Sequence, residues 1–172
     1  MTNLLILDTL SIRDFGAAGL LPAISRFSFR VTTTSTAYLQ GPFPGAFTHA
    51  PLETGKIYLS TLSPDELQYS YQLSTTLPGL TLADYSVLFL TSRDNGTLLT
   101  IDPRMLKAAE AMRLTVCTYS GVLEQLAMAG IISHKSLKHH YTPLLGRINK
   151  LALPNEKQLF VNSALPKKEK LA

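Results

Sequence analysis

The sequence predicts an α/β fold, a three-layer α/β/α sandwich with a mostly parallel sheet of about five strands. Short aliphatic runs alternate along the chain with amphipathic stretches, which is typical of a parallel sheet that carries helices on both faces. Helix-start signals stand between several of these runs and separate strand from helix. The chain has 172 residues and is 45% hydrophobic, which is enough apolar material for a sizeable core.

Five segments are predicted as strands. The first, Leu4–Leu7, is a continuous aliphatic run that ends at Asp8, as expected for a central parallel strand. The second leads into a threonine-rich stretch, and the third follows a turn at Gly55 and is rich in residues that favour strands. The later strands are predicted at residues 29–31, 56–59, 98–101 and 114–119, and the fourth ends at Asp102.

Capping signals predict where the helices begin. Ser63 is followed by Pro64 and Glu66, a complete start signal with proline at the first helical position. Thr81 and Asp84 repeat the capping-box spacing, with Asp in place of the usual Glu. Further helices are predicted to begin at Asp102, at Ser120 and at Ser133, and the helix after Ser120 is expected to end at Gly130.

Composition and charge bound the setting of the protein. Lys and Arg number 16 against 12 Asp and Glu, and the resulting net charge of +4 permits binding to a polyanion without requiring it. The single cysteine, Cys117, cannot form an internal disulfide, which fits a reducing compartment. The N-terminal apolar run is too short for a leader or a membrane span, so we expect a cytoplasmic protein with no membrane partner.

Three aspartates are predicted to meet at one edge of the sheet. Asp8 ends the first strand and Asp102 the fourth. Asp84 lies in the first turn of a helix that runs antiparallel to the strands, so the N-terminus of that helix lies at the same edge. Ligands of open parallel sheets bind outside the carboxyl ends of the strands. We therefore expect these three carboxylates to converge on one cleft.

Clustered carboxylates predict a divalent cation. They raise one another's pKa unless a cation neutralises them, and Mg²⁺ prefers oxygen ligands. A metal held by Asp8, Asp84 and Asp102 would activate a water and stabilise charge on a phosphodiester during hydrolysis. Thr9 and Thr100 lie beside two of these acids and could orient a carboxylate or a bound water through their hydroxyls.

Each of the three acids also fits an ordinary structural role. Asp84 sits where a capping box places an acid, and Asp102 directly precedes Pro103, as an N-cap does. Asp8 follows a strand, where Asp is a common turn former. Helix caps are far commoner than metal ligands, so only the predicted convergence of the acids favours a site.

Three segments carry a family resemblance through their order and spacing: residues 4–9 (LLILDT), 82–88 (LADYSVL) and 98–109 (LLTIDPRMLKAA). Together they resemble PIN domains, a family that includes the ribonuclease toxins of prokaryotic toxin–antitoxin pairs. Residues 114–133 extend the likeness with a strand, a short turn and a helix. The resemblance implies a PIN-like domain over residues 1–154, followed by a C-terminal extension over residues 155–172.

The resemblance also implies an activity, the Mg²⁺- or Mn²⁺-dependent hydrolysis of RNA phosphodiester bonds. Asp8, Asp84 and Asp102 would be the metal ligands, and Thr100 would assist by hydrogen bonding. The implied partners are RNA, a protein antitoxin that covers the acidic cleft, and a second copy of the chain in a homodimer. Arg13, after the first strand, and Arg104, after Asp102, are candidates for binding substrate phosphate.

One expected acid is missing from this pattern. PIN domains commonly carry a glutamate on the helix after the second strand, whereas residues 32–40 read TTTSTAYLQ. Tyr38 or Gln40 occupies the equivalent position, and Gln40 or the more distant Glu53 is a candidate substitute ligand. The departure favours an alternative, a catalytically impaired PIN-like module that binds RNA or a protein.

Other catalytic constellations find little support in the sequence. The four histidines lack a cysteine pair and the helical spacing of a zinc site, and Cys117 falls in a predicted buried strand. The chain contains no glycine-rich phosphate loop and no GxSxG motif, which argues against P-loop nucleotide binding and against an α/β-hydrolase.

Overall fold

In the computed structural model of the chain, residues 4–40, 57–133, 136, 144–146 and 148 are described. Within these residues, the strands are β1 (Leu4–Leu7), β2 (Arg30–Thr34), β3 (Ile57–Ser60), β4 (Thr97–Leu99) and β5 (Thr115–Cys117). They form a single all-parallel sheet in the order β3-β2-β1-β4-β5. The prediction of a mostly parallel sheet of about five strands is confirmed.

Helices connect the successive strands, as parallel pairing requires. They are α1 (Thr9–Ala17), α2 (Leu21–Ile24), α3 (Ser35–Gln40), α4 (Pro64–Gln72), α5 (Leu82–Arg93), α6 (Pro103–Ala111) and α7 (Tyr119–Met128). A short 3₁₀ turn, Leu73–Thr75, follows α4.

Strand β1 is the centre of the sheet and is buried on both faces. It pairs with β2 on one side and with β4 on the other. Leu5 and Leu7 point into one hydrophobic cluster, whereas Ile6 between them points into a second cluster on the opposite face. This alternation explains why the sequence of β1 is aliphatic throughout, since both faces of the strand meet a helical layer.

The two clusters define two helical layers around the sheet. The first contains Phe15 of α1, Leu21 of α2 and Leu126 of α7. The second contains Val87 of α5 and Met105 of α6. One layer covers each face, so the predicted three-layer α/β/α sandwich is confirmed.

Both predicted capping boxes are present. Ser63 caps α4 by accepting from the Glu66 backbone N–H, and the Glu66 carboxylate accepts from the Ser63 N–H in return. Thr81 and Asp84 make the same reciprocal pair at the start of α5. These caps fix where α4 and α5 begin.

The predicted start of helix α7 is wrong. Ser120 was expected to cap it, but α7 begins at Tyr119 and its N-cap is Thr118. The backbone is still extended at Thr118, with φ −99° and ψ 175°, and turns helical at the next residue. Ser120 therefore lies inside the first turn, where its hydroxyl contacts that of Thr118 at 3.1 Å. The predicted stop fits better, because Gly130 follows the C-cap with a left-handed φ of 65°.

Several strand boundaries also differ from the prediction. Strand β2 begins at Arg30 rather than Phe29 and runs through Thr34, because β-branched threonines suit a pleated strand. Strands β4 and β5 end at Leu99 and Cys117, earlier than predicted. Pairing persists briefly past β4, since the Thr100 N–H donates to the Cys117 carbonyl over 3.3 Å.

The three threonines of β2 are buried, and each hydroxyl has a partner. Thr32 donates to the Tyr58 carbonyl of β3, and Thr33 donates to the Leu7 carbonyl of β1 over 2.8 Å. The Thr34 hydroxyl contacts that of Ser86 on α5 at 2.7 Å. These bonds tie β2 to both neighbouring strands and to one helical layer at the carboxyl edge of the sheet.

Some predicted features lie outside the described residues. These are most of the predicted helix from Ser133 to Pro143, the irregular stretch at residues 41–55, and the C-terminal extension at residues 155–172. Within the described part of the chain, we find no helix with the length and apolar character to cross a membrane.

A substitution at Thr33 tests the anchoring of the carboxyl edge. Thr33→Val keeps the shape of the side chain but leaves the buried Leu7 carbonyl without this donor. We expect a loss of about 1–3 kcal/mol in the free energy of unfolding, measured by urea denaturation. The control is Thr75→Val on the exposed 3₁₀ turn, where the hydroxyl donates to the Gln72 carbonyl and water can replace it. Equal costs at the two positions would contradict this account.

Candidate functional site

The local folding of the chain brings the three predicted acids to the carboxyl edge of the sheet. Asp8 follows β1 directly and is the N-cap of α1. Asp102 lies after β4 and is the N-cap of α6, and Asp84 lies in the first turn of α5. Each acid therefore stands at a helix N-terminus, where the helix dipole favours a negative charge.

Asp8 is the most buried of the three acids, with only 2% of its surface exposed. Its Oδ1 accepts from the Ser11 backbone N–H over 2.6 Å, and its Oδ2 accepts from the Thr100 hydroxyl. Ser11 is itself held in place, since its hydroxyl donates to the Leu99 carbonyl at the end of β4 over 2.8 Å. Both carboxylate oxygens are thus fixed, one by the first turn of α1 and the other by the residue that follows β4.

Burial has a clear electrostatic consequence for Asp8. It raises the pKa of the Asp8 carboxyl to about 6, although the hydrogen bonds from Ser11 and Thr100 act in the opposite direction. The negative charge of Asp84 raises this pKa further, which places the two carboxylates within electrostatic reach of one another. Among the ion pairs formed by described residues, none includes Asp8.

Thr100 connects Asp8 to Asp102. Its hydroxyl donates to Asp8 and accepts from the Asp102 backbone N–H over 3.1 Å. Thr100 is fully buried, so these two bonds satisfy both the donor and an acceptor position of the hydroxyl. A single side chain therefore sets the position of one carboxylate relative to the start of the helix that carries the other.

Asp102 is engaged by Arg104 in a two-pronged ion pair. Arg104 Nη2 donates to Asp102 Oδ2 over 2.9 Å, and Arg104 Nε donates to Oδ1 over 3.3 Å. Partial burial raises the pKa of the Asp102 carboxyl, but the hydrogen bonds and the charge of Arg104 outweigh it and hold that pKa below its usual range. Asp102 is therefore charged at neutral pH and already neutralised by a neighbouring cation.

Asp84 uses one oxygen for its helix cap. Its Oδ2 accepts from both the backbone N–H and the hydroxyl of Thr81, each over 2.9 Å. Both bonds end on the same oxygen. The capping role foreseen for Asp84 is thus present, and its charge still acts on Asp8.

The arrangement fits a cation only in part. Across residues 4–40, 57–133 and the few described beyond them, no three His, Cys, Asp or Glu side chains are arranged to hold a metal ion. Asp8 and Asp84 suit a cation, because a buried carboxylate within reach of a second negative charge is stabilised by one. Asp102 can join them only when Arg104 leaves, because the guanidinium covers both of its oxygens.

Helix α3, on which the missing acid was expected, lies beside the start of α1 and carries no carboxylate. The Thr9 hydroxyl donates to the Ala37 carbonyl over 3.3 Å, which fixes α3 beside the start of α1. Tyr38 is partly buried and Gln40 is exposed at the end of α3. The other candidate substitute for the missing acid, Glu53, lies outside the described residues.

A second buried acid was missed by the sequence reasoning. Asp14 on α1 is 7% exposed, and its Oδ2 accepts from the hydroxyl of the buried Tyr119 over 3.2 Å. Arg13, a candidate for binding phosphate, donates from Nε to Asp14 Oδ1 over 3.4 Å. Ser11 was missed as well, although its position three residues after Asp8 has the spacing of an N-cap bond.

Comparisons with known proteins add no identification. No protein-family model matches the chain, and no curated protein is detectably similar to it in sequence.

Asp8 makes the stability of the fold depend on pH in a specific direction. Between pH of about 4 and 6, the unfolded chain carries a charged Asp8 while the folded chain retains the proton, since the folded pKa is about 6. The folded state then binds more protons at Asp8. The contribution of Asp8 to the free energy of unfolding therefore falls as pH rises through this window and is constant above it. We expect Asp8→Asn to remove this fall, with a gain that approaches about 3 kcal/mol at pH 7.5.

The measurement is urea denaturation of both proteins from pH 3.5 to 8. Other carboxyls titrate in the same range, so the quantity to follow is the difference in unfolding free energy between the two proteins. A difference that is constant with pH, or that favours the wild type at neutral pH, would contradict a buried and uncompensated Asp8.

Proposed function

We propose that the chain is a metal-dependent ribonuclease that hydrolyses RNA phosphodiester bonds at the carboxyl edge of the sheet. The observation that carries the proposal is the buried carboxylate of Asp8, which has no cationic partner among the described ion pairs and feels the charge of Asp84. A buried charge without a cation is costly, and a fold keeps one where it serves a site.

Asp8 and Asp84 would hold a Mg²⁺ or Mn²⁺ ion, and Asp102 would join them once its own counterion is displaced. When bound, such an ion supplies a water of lowered pKa and neutralises charge on the phosphate. Thr100 keeps Asp8 in fixed relation to the start of α6 through its two hydrogen bonds, so the rearrangement that metal binding requires falls on the side chains of Asp84, Asp102 and Arg104. Ser11 holds the other oxygen of Asp8 and limits its rotation.

Arg104 and Arg13 would bind the phosphate backbone. Arg104 is 63% exposed and lies in the first turn of α6, the helix that Asp102 caps. Its guanidinium can therefore reach a ligand bound at the carboxyl edge of the sheet. Arg13 is 31% exposed and lies on α1, the helix that Asp8 caps. A guanidinium can donate two parallel hydrogen bonds to the oxygens of one phosphate, which fixes the orientation of the phosphate as well as binding it.

The choice of RNA and of biological partners depends on the resemblance to PIN domains. That resemblance supports a toxin of a toxin–antitoxin pair, with a protein antitoxin over the cleft and a homodimer as the assembly. The net charge of +4 is compatible with a polyanionic substrate. RNA is therefore the first substrate to test.

A second candidate function has an observation of its own. Helix α3, with the sequence STAYLQ, carries no carboxylate, and Arg104 neutralises Asp102. Both features weaken a cluster of acids that would bind a metal tightly. They favour a catalytically impaired module that binds RNA or a protein through the same edge.

Asp84→Asn separates catalysis from helix capping. Asn at this N3 position of the capping box keeps a side-chain oxygen that can accept from the Thr81 N–H, so we expect α5 and the fold to persist while the negative charge is lost. With Mn²⁺ present, we expect cleavage of a labelled single-stranded RNA to fall by about a hundredfold, the upper end of the loss seen when even an outer-shell partner of a metal ligand is removed. Calorimetric titration with Mn²⁺ should show weaker binding in the same variant.

The matched control is Glu66→Gln, which removes the charge of the other capping-box acid, at the start of α4. This variant should cleave RNA as the wild type does. The ribonuclease proposal is overturned if the wild type neither binds Mn²⁺ at millimolar concentration nor cleaves RNA, and RNA binding without cleavage would support the module. Equal loss of activity in both variants would assign the effect of Asp84 to folding.

A further inference from the structure

The guanidinium of Arg104 lies where a cation on Asp102 would lie. It donates to both carboxylate oxygens, to Oδ2 over 2.9 Å and to Oδ1 over 3.3 Å, and the Arg104 backbone N–H adds a bond to Oδ1 over 2.8 Å. A second cation on the same oxygens would be repelled by the guanidinium. In this arrangement, Arg104 and a metal ion exclude one another.

The same guanidinium also reaches the segment that leads to Asp84. Its Nη1 donates to the Gly79 carbonyl over 3.2 Å, just before the capping box of α5. The hydrogen bond to Asp102 and then its charge raise the pKa of Arg104 above its usual value, and the charge of Asp84 adds a smaller effect in the same direction. One guanidinium therefore pairs with Asp102 and also contacts the backbone that leads to Asp84.

The ion pair of Arg104 and Asp102 can separate at little cost in stability, because the arginine side chain is largely exposed to water. The Arg104 side chain is 63% exposed, whereas Asp102 is 18% exposed. Exposed ion pairs contribute little net stability, because water and salt compensate the charges when the pair separates. Opening would leave Asp102 in place, held by its position after Thr100, and would release the arginine into solvent.

We propose that Arg104 is a resident counterion that occupies both carboxylate oxygens of Asp102 and exchanges for the metal ion. The inference rests on the proposed metal-dependent function and adds its regulation. Displacement by the metal frees the guanidinium for a substrate phosphate, so the residue that blocks the site at rest becomes a substrate contact. Metal binding is weakened in proportion to the fraction of time for which the pair is closed.

The test is calorimetric titration of the full chain with Mn²⁺ alone, in the absence of RNA. For a pair that is closed about nine-tenths of the time, Arg104→Gln should bind Mn²⁺ about tenfold more tightly than the wild type. Arg104→Lys keeps the charge without the fork and should fall between the two. The control is Arg93→Gln, which breaks an equivalent ion pair with Asp94 and Glu66 at the far end of α5 and should leave the affinity unchanged.

A second measurement follows the arginine itself. In ¹⁵N NMR spectra, the Arg104 Nε–H signal should shift on addition of Mg²⁺ and saturate with the affinity that a calorimetric titration with Mg²⁺ gives. The Arg93 signal should stay in place. Since neither readout depends on cleavage, the exchange is tested whether or not the RNA offered is a good substrate.

The outcomes separate this inference from the proposed function. If Arg104→Gln binds Mn²⁺ no more tightly than the wild type, while Asp8→Asn weakens binding, the exchange is wrong and the metal site stands. If tighter binding appears in Arg104→Gln but no protein cleaves RNA, the exchange stands and the ribonuclease proposal is wrong. If none of the proteins binds Mn²⁺, both are overturned.

Discussion

The buried carboxylate of Asp8 is the constraint on which the rest of the edge depends. A charge with 2% exposure is tolerated only where hydrogen-bond donors are already in place. Here the donors are the Ser11 N–H and the Thr100 hydroxyl, which come from the first turn of α1 and from the end of β4. The chain is therefore organised so that adjacent strands β1 and β4 supply the acid and one of its supports.

The other two acids of the edge, Asp84 and Asp102, are held differently from Asp8. Asp84 and Asp102 lie nearer to solvent and take part in ordinary helix caps, and Asp102 has a guanidinium on both oxygens. Among the described residues, the edge thus has a fixed inner acid, Asp8, in no ion pair, and a more exposed acid, Asp102, whose charge Arg104 compensates. A metal-dependent activity requires the pair of Asp102 and Arg104 to rearrange, whereas a binding role does not. This difference is the physical basis for the two candidate functions.

The fold could be predicted because its signals are local and mutually consistent. The aliphatic run of β1, the capping boxes at Ser63 and Thr81, and the acid before Pro103 each specify an element without reference to the others. Boundaries were less predictable where pairing decides them. The threonines after Val31 extend β2 because their hydroxyls find carbonyl partners in the neighbouring strands, and that fact depends on the assembled sheet.

The site was only partly accessible from the sequence. Strand ends and helix starts indicate which acids reach the carboxyl edge, and Asp8, Asp84 and Asp102 all lie there. Sequence spacing does not reveal which of these charges is buried or that Arg104 folds back onto Asp102, because both depend on side-chain packing. The pair of Asp14 and Tyr119, 105 residues apart, was equally out of reach.

The most direct test of the central claim is a measurement of the Asp8 carboxyl by ¹³C NMR over pH 3 to 9, with and without Mg²⁺. A buried acid that lacks a cation should titrate with a pKa of about 6 in metal-free protein, and Mg²⁺ should lower that pKa by neutralising the charge. A pKa near the ordinary value of 3.8 that does not respond to Mg²⁺ would contradict the account.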